Sequence, residues 1–229
     1  MTNHHSAVIF DIDGPLLDLT PAEEGAFFAP FEILHDLTGL SNDWNSYKVR
    51  NDEDIIIEIL QTHFGRPPQD HEVTAVTTKY AEVLETGYAD GGLEVSEIPG
   101  ARDLLHALHE VGGIALGTAT ANVLHAARTR LTEAGMWDYV KHHPGTADGG
   151  GAKRDVLGRV IDRLDVPRER IVFLGDNLND LDAGQANGVH FIGFHVAEPR
   201  RRRLLDNGAE IAFGDHCQTH SYIVDLLGL

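Results

Sequence analysis

The chain has 229 residues, 42% of them hydrophobic and 24% charged, a balance that suits a soluble globular fold and gives no ground for wholesale disorder or collagen-like repetition. Its 18 Lys and Arg against 36 Asp and Glu leave a formal charge of −18, a field that repels polyanions, so nucleic acid and anionic membrane surfaces are excluded as expected partners. The one cysteine, Cys217, cannot close an intrachain disulfide, no paired-thiol zinc signature is present, and residues 1–6 lack a signal-peptide core, so a cytoplasmic protein is expected.

The length favours one core carrying a smaller inserted or appended module. In chain order, Ala7-Val8-Ile9-Phe10 is a short apolar run that empties into Asp11-Ile12-Asp13-Gly14, the pattern of a buried strand ending in a loop. From about Asp18 to Ile98 no such run occurs, and residues 21–37, 52–64 and 70–87 read as helices, the second opening on the acidic Asp52-Glu53-Asp54 that suits a helix N-terminus. Apolar runs return at 114–117, 171–174 and 189–193, separated by helical patterns at 101–111, 122–134, 154–164 and 178–187. A last unit, 210–213 followed by 219–227, is expected to close the edge. Strands alternating with helices imply an α/β, Rossmann-like parallel sheet with helices on both faces. Residues 1–17 and 98–229 form the expected core, and 18–97 an alpha-helical insertion hung over the site.

In an open parallel sheet functional groups gather beyond the carboxyl ends of the strands. Asp11 and Asp13 lie two apart, so an extended backbone sends both carboxylates the same way, and Gly14 permits a tight departure. One carboxylate can take a phosphoryl group from an ester while the other moves protons. Asp176, in Gly175-Asp176-Asn177-Leu178-Asn179-Asp180, can complete an oxygen-rich site for a hard divalent ion such as Mg²⁺, which screens the repulsion between carboxylates and phosphate. Thr118 ends its strand with a hydroxyl, and Lys153 follows Gly149-Gly150-Gly151 at the start of a helix; both suit phosphoryl oxygens, with Thr120 the alternative if the strand runs longer. Taken singly each of these has a plainer reading as a cap, a strand end or a solvated lysine. Their joint placement at four separate junctions is what favours chemistry.

With these residues in place, the sequence resembles the haloacid dehalogenase-like (HAD) superfamily over nearly its whole length, in the phosphatase branch with an alpha-helical cap, phosphoglycolate phosphatase-like. Asp11-Ile12-Asp13-Gly14-Pro15-Leu16 looks like its first motif, Thr118 its second, Lys153 its third, and Gly175-Asp176 through Asp180 its fourth; the first and fourth are the specific ones. The resemblance implies Asp11 as nucleophile, Asp13 as general acid/base, and Mg²⁺ held by the Asp11 carboxylate, the Asp13 backbone carbonyl and Asp176, with Asp180 supporting the site directly or through its shell. It implies phosphoryl binding by Thr118 and Lys153, with Lys153 also restraining the nucleophile. The departure is Pro15, where the family usually has Thr or Val: proline removes an amide donor and fixes φ, which puts loop details and phosphate contacts in question. Asp13 separates the chain from the dehalogenating branch, which has no acid there.

The expected activity is therefore Mg²⁺-dependent hydrolysis of a small phosphorylated metabolite through an aspartyl-phosphate, by a monomer or homodimer. The alternatives are a phosphomutase of the beta-phosphoglucomutase type and a non-catalytic phosphometabolite-binding module. Lys48, Arg50 and Asn51 read as solvated capping residues ahead of substrate contacts, Glu23 and Glu24 equally well as groups approaching the cleft or as a solvated first helical turn, Arg200-Arg201-Arg202-Arg203 as a solvated helix face, and His216, His220 and His142-His143 as surface histidines.

Overall fold

Val8, Ile9 and Phe10 are β-branched or aromatic and have no polar neighbour until Asp11, so they bury both faces of a central strand, each contributing about 1.5–3 kcal/mol. A computed structural model describes residues 4–229. In chain order it has β1 (Ser6–Phe10), β2 (Leu17–Asp18), α1 (Pro21–His35), α2 (Asp52–Phe64), α3 (Asp70–Asp90) and β3 (Ser96–Glu97). Then come α4 (Ala101–Val111), β4 (Ile114–Thr118), α5 (Leu124–Glu133), α6 (Trp137–Val140), α7 (Lys153–Ile161), β5 (Ile171–Gly175), α8 (Leu178–Asn187), β6 (His190–Phe194), α9 (Glu198–Asp206), β7 (Ala212–Phe213) and α10 (His216–Leu227). Among the described residues no helix is long and apolar enough to cross a membrane.

The main sheet is parallel, in the order β4-β1-β5-β6-β7, so the short β7 closes one edge as the sequence leads one to expect. Alternate residues of β1 serve opposite faces: Val8 and Phe10 join Leu104, Leu105 and Leu108 of α4 and Ile223 and Leu227 of α10. Ala7 and Ile9 join Val156, Leu157 and Val160 of α7. Both faces are thus covered, as a parallel sheet requires. Strand order reverses around β1, and the carboxyl ends of β1, β4 and β5 meet there.

Helices α1 to α3 share a separate apolar cluster built on Phe27, Phe31, Ile55, Leu60, Tyr80 and Leu84, which continues onto Val123 and Ala126 at the start of α5. The segments leading into and out of these helices pair antiparallel, Leu17 with Glu97 and Asp18 with Ser96, so the chain leaves and returns at one point. Two-residue strands carry no periodicity, and the sequence gives no sign of this ribbon. Helix α5 begins at Leu124, not Asn122. Asp52 N–H donates to Ala121 O at 2.9 Å and Val123 N–H to Asp52 Oδ2 at 3.0 Å, so this backbone is held by tertiary bonds before the helix can start.

His216, expected on the surface, is buried at the start of α10, its ring stacked on Phe194 with centroids 4.0 Å apart and its Nε2 2.8 Å from Pro15 O. A carbonyl only accepts, so Nε2 carries the proton, and Nδ1 is buried without a partner. Burial pushes the imidazole down to about 4, although the Pro15 bond opposes this. A histidine held neutral in the fold and titrating near 6.5 when unfolded contributes stability that is complete above pH 6.5 and is lost as pH falls through 6.5 toward 4. His216→Gln, which can still donate to Pro15 O but gives up the ring stack on Phe194, should be destabilised at pH 7, with the gap to the parent closing by about 2 kcal/mol at pH 5. Denaturant unfolding of both proteins at the two pH values measures it, and a constant gap would contradict the assignment.

Candidate active site

The turn after β1 is built by backbone bonds that do not need residue 15. Leu16 N–H and Leu17 N–H both donate to Ile12 O, at 3.0 and 2.9 Å, and Gly14 N–H donates to Leu17 O at 2.8 Å. Pro15 is buried with its carbonyl turned to His216, so its missing N–H is absorbed without loss of the turn. Gly14 sits at φ +101°, and a Cβ there would lie 2.5 Å from Asp176 Cγ: the first loop closes directly over the β5 loop, and only glycine permits that approach.

Asp11 follows β1 with its N–H on Leu174 O at 2.8 Å. Its Oδ1 accepts from Ile12 N–H at 2.8 Å and lies 2.7 Å from Lys153 Nζ, at the first residue of α7. Asp180, fully buried on α8, spends Oδ2 on the N–H groups of Asp176 and Asn177, at 3.2 and 3.0 Å. Its Oδ1 lies 3.2 Å from Lys153 Nζ but outside hydrogen-bonding geometry, so it is buried without a directed donor. Asp11, Asp176 and Asp180 each offer an oxygen within 4.8 Å of the others.

Burial pushes the Asp11 carboxyl well up; Lys153 opposes, and Asp180, Asp13 and Asp176 push it further. Burial and the Asp180 charge take Asp176 up to about 7. Lys153 is held protonated because Asp11 and Asp180 outweigh the cost of its burial. One lysine thus faces a crowd of carboxylates that raise one another's proton affinity. All the donors are hard oxygens, and Asp180 Oδ1 lacks a hydrogen-bond donor, a set that fits a divalent cation such as Mg²⁺.

Asp13 shares the cleft with Asp11, but both of its oxygens are taken. Oδ1 accepts from Arg130 Nη1 at 2.8 Å and Oδ2 from Asn122 Nδ2 at 2.9 Å. Arg130 is fully buried on α5 and also reaches Glu23 Oε1 from Nε at 3.0 Å. Its burial disfavours the charge, yet Asp13 and Glu23 keep it protonated. Glu23 is therefore not a solvated first-turn residue. It is buried, completes a capping box with Thr20 and accepts from Tyr88 Oη. Glu24 accepts from Trp44 Nε1 at 2.7 Å.

The cleft has a volume of about 680 Å³ and is lined by Asp11, Asp13, Lys153, Asp176, Asn177 and Asn179, by Ala121 and Asn122, and by Trp44, Arg50, Asn51 and Asp52 from the helical block. Thr118 and Thr120 do not line it. Thr118 Oγ1 exchanges bonds with Gly145, donating to O and accepting from N, both at 3.2 Å, while Thr120 Oγ1 accepts from Asn122 N–H at 3.2 Å. Both hydroxyls shape the loop that carries Asn122.

The start of α2 is sewn to that loop and to the one before Lys153. Asn51 caps the helix through Asp54 N–H, as expected, but is buried and also donates from Nδ2 to Gly151 O at 2.8 Å. Gly150 N–H donates to Glu53 Oε2 and Gly151 N–H to Asp54 Oδ2, at 2.8 and 3.0 Å. Desolvation pushes Asp52, which accepts from Val123 N–H, up to about 7. Arg200, Arg202 and Arg203 are exposed, as a solvated face requires, yet Arg200 and Arg203 also line the cleft with His195. Arg201 turns back, its Nη1 donating to His195 O and Val196 O at 2.7 and 2.8 Å. Lys48, His142 and His143 are absent from the lining.

A family model described as haloacid dehalogenase-like hydrolase matches residues 5–188. A phosphoglycolate phosphatase of Salmonella typhi is 26% identical over 204 residues, covering 81% of this chain and 79% of that protein. Protein CbbY of Cereibacter sphaeroides is 27% identical over 232 residues, covering 90% and 93%. Among solved structures, a putative beta-phosphoglucomutase from Bacteroides vulgatus superposes with a TM-score of 0.66 at 17% identity, over 99% of this chain and 90% of that one. The putative HAD-hydrolase YfnB from Bacillus subtilis, bound to magnesium, gives 0.63 at 20% identity, over 96% and 99%. At these identities the two structures establish a common fold.

Proposed function

The chain belongs to the haloacid dehalogenase-like hydrolase family, and from that premise we propose that it is a phosphatase hydrolysing a small phosphorylated metabolite through an aspartyl-phosphate on Asp11. The convergence of Asp11, Asp13, Lys153 and Asp176 in one cleft is the observation that carries this reading. Ile12 N–H and Lys153 both hold Asp11 Oδ1, so Oδ2 is the oxygen that attacks phosphorus. Asp13, partly open to solvent, takes up a proton from water and gives it to the leaving oxygen as the P–O bond to the alcohol breaks. It then takes one from water, which attacks the acyl phosphate, releasing inorganic phosphate and restoring the Asp11 carboxylate. Lys153 holds the nucleophile and binds phosphoryl oxygens. Thr118 bonds the phosphoryl group directly only if its hydroxyl leaves Gly145 O; otherwise it acts through the loop it anchors.

Asp11, the Asp13 backbone carbonyl and Asp176 would hold Mg²⁺, with Asp180 supporting them. When bound, the ion supplies the positive charge that lets phosphate sit among carboxylates. Residues 18–97 act as a cap over a core of 1–17 and 98–229, placing Arg50, Asn51 and Asp52 opposite the catalytic loop. A second reading, return of the phosphoryl group to another hydroxyl of a bound sugar phosphate, draws on Arg50, Arg200 and Arg203, which suit a second phosphate.

The test is a panel of phosphate monoesters assayed with Mg²⁺, following inorganic phosphate and the organic product together. Stoichiometric phosphate release with loss of the ester is expected. Isomerised sugar phosphate with little free phosphate would give the reaction to the mutase, and binding without turnover across the panel would leave only a binding module.

A further inference from the structure

A guanidinium removed from water is expensive unless all its charge is matched, and Arg130 is fully buried beside the proposed proton-transfer group. Its contacts run to three separate parts of the chain. Nη1 donates to Asp13 Oδ1 at 2.8 Å and to Asn122 Oδ1 at 2.9 Å, and Nε to Glu23 Oε1 at 3.0 Å. Because Asn122 turns its oxygen to the arginine, its amide nitrogen faces Asp13 Oδ2 at 2.9 Å. The Asp13 carboxylate is thereby gripped at both oxygens, its plane fixed by one cation and by an amide that the same cation orients. Arg130 Nη2 is left buried without an acceptor, so the side chain lies where it reaches Asp13 and Glu23 together and not where its own bonding is most complete.

Glu23 belongs to α1 of the helical block and receives the Tyr88 hydroxyl from α3. Arg130 belongs to α5, so the arginine's seat is half built by the block above the cleft. Resting on the phosphatase reading, we infer that Arg130 is a positioning residue that sets the Asp13 carboxylate for proton transfer, and that Glu23 makes this setting conditional on the seating of the helical block, in which α1 packs on α3 and α3 on α5.

The test compares an alkyl phosphate, whose leaving alkoxide needs a proton, with p-nitrophenyl phosphate, whose leaving phenolate does not. The ratio kcat/KM reports steps up to formation of the aspartyl-phosphate, so it isolates the first proton transfer. Arg130→Lys keeps the charge but cannot span the three acceptors. It should lower kcat/KM on the alkyl ester by about 100-fold and on the aryl ester by less than about 5-fold, with the alkyl ester's KM nearly unchanged. Glu23→Gln, which keeps an acceptor oxygen for Arg130 Nε, should show the same inequality at smaller size, and it decides the matter if Arg130→Lys does not fold. Equal losses on both esters in a folded variant would make the cluster merely structural and overturn the inference while leaving the phosphatase reading intact. A parent protein that turns over neither ester would sink that reading itself.

Discussion

Asp11→Asn should lose at least about 10⁴-fold in kcat while its thermal stability equals or exceeds that of the parent. The first half follows from the proposed mechanism: an amide oxygen cannot form the acyl phosphate and then be regenerated by hydrolysis, so a nucleophilic role for Asp11 leaves the variant no covalent route. The second half follows from surroundings. Asparagine retains a carbonyl oxygen for Ile12 N–H and Lys153, which are the contacts Asp11 Oδ1 makes. It also takes one charge out of a group in which burial, Asp180, Asp13 and Asp176 all push the Asp11 carboxyl toward its neutral form. Relief of that repulsion offsets whatever the weaker Lys153 contact costs. Inorganic phosphate release and a melting curve on the same preparation read both halves. Near-parent turnover would exclude covalent catalysis at Asp11, and a large fall in melting temperature would show that the carboxylate is needed for the fold.

The sheet was legible because its strands are fully buried and therefore written as unbroken apolar runs; 7–10, 114–117 and 171–174 fall within strands of the structure, and 189–193 overlaps β6 to within a residue at each end. Asp11, Asp13 and Asp176 were legible because parallel strands deliver their next residues to one end of the sheet, whatever packs around them. The rest depends on contacts between distant segments. Helical spacing puts Arg130 on the apolar face of Ala126 and Ala127 and Arg128 on the solvated one, but Arg130 and Asp13 are 117 positions apart, and no local pattern says which carboxylates a buried arginine meets. Glu23 does carry a local signal, the Thr20-to-Glu23 capping box, but that signal accounts for a helix start and is silent on burial. His216 looked like one of a pair with His220, and its stacking on Phe194 depends on where α10 docks. Thr118 stands at the end of its strand as expected, yet which way its hydroxyl turns is decided by Gly145, 27 residues on.

Removal of divalent cations should suppress turnover by at least about 10³-fold, and added Mg²⁺ should restore it, because the cleft holds too little positive charge of its own to admit a phosphate dianion. Lys153 is already committed to Asp11 and Asp180, and Arg130 to Asp13 and Glu23, so the cations nearest the reacting atoms are neutralised before substrate arrives. The other arginines that line the cleft, Arg50, Arg200 and Arg203, form no ion pair with these carboxylates. A binding readout separates the ion's role from activity. A ligand held by the folded protein alone raises the melting temperature, and Mg²⁺ at about 100 times its dissociation constant should add roughly 3 kcal/mol, or about 5–10 °C for a chain of this size. Asp176→Asn keeps the volume over which Gly14 closes but halves the donor's charge-bearing oxygens, so its Mg²⁺-induced shift should fall to under about a third of the parent's at the same concentration. The variant without Mg²⁺ should melt no lower than the parent, since burial and the Asp180 charge push Asp176 up to about 7 and its own charge adds little to stability among these carboxylates. Turnover that survives chelation, or an undiminished shift in Asp176→Asn, would take Asp176 out of the role and leave the acidic cluster without a purpose in the reaction.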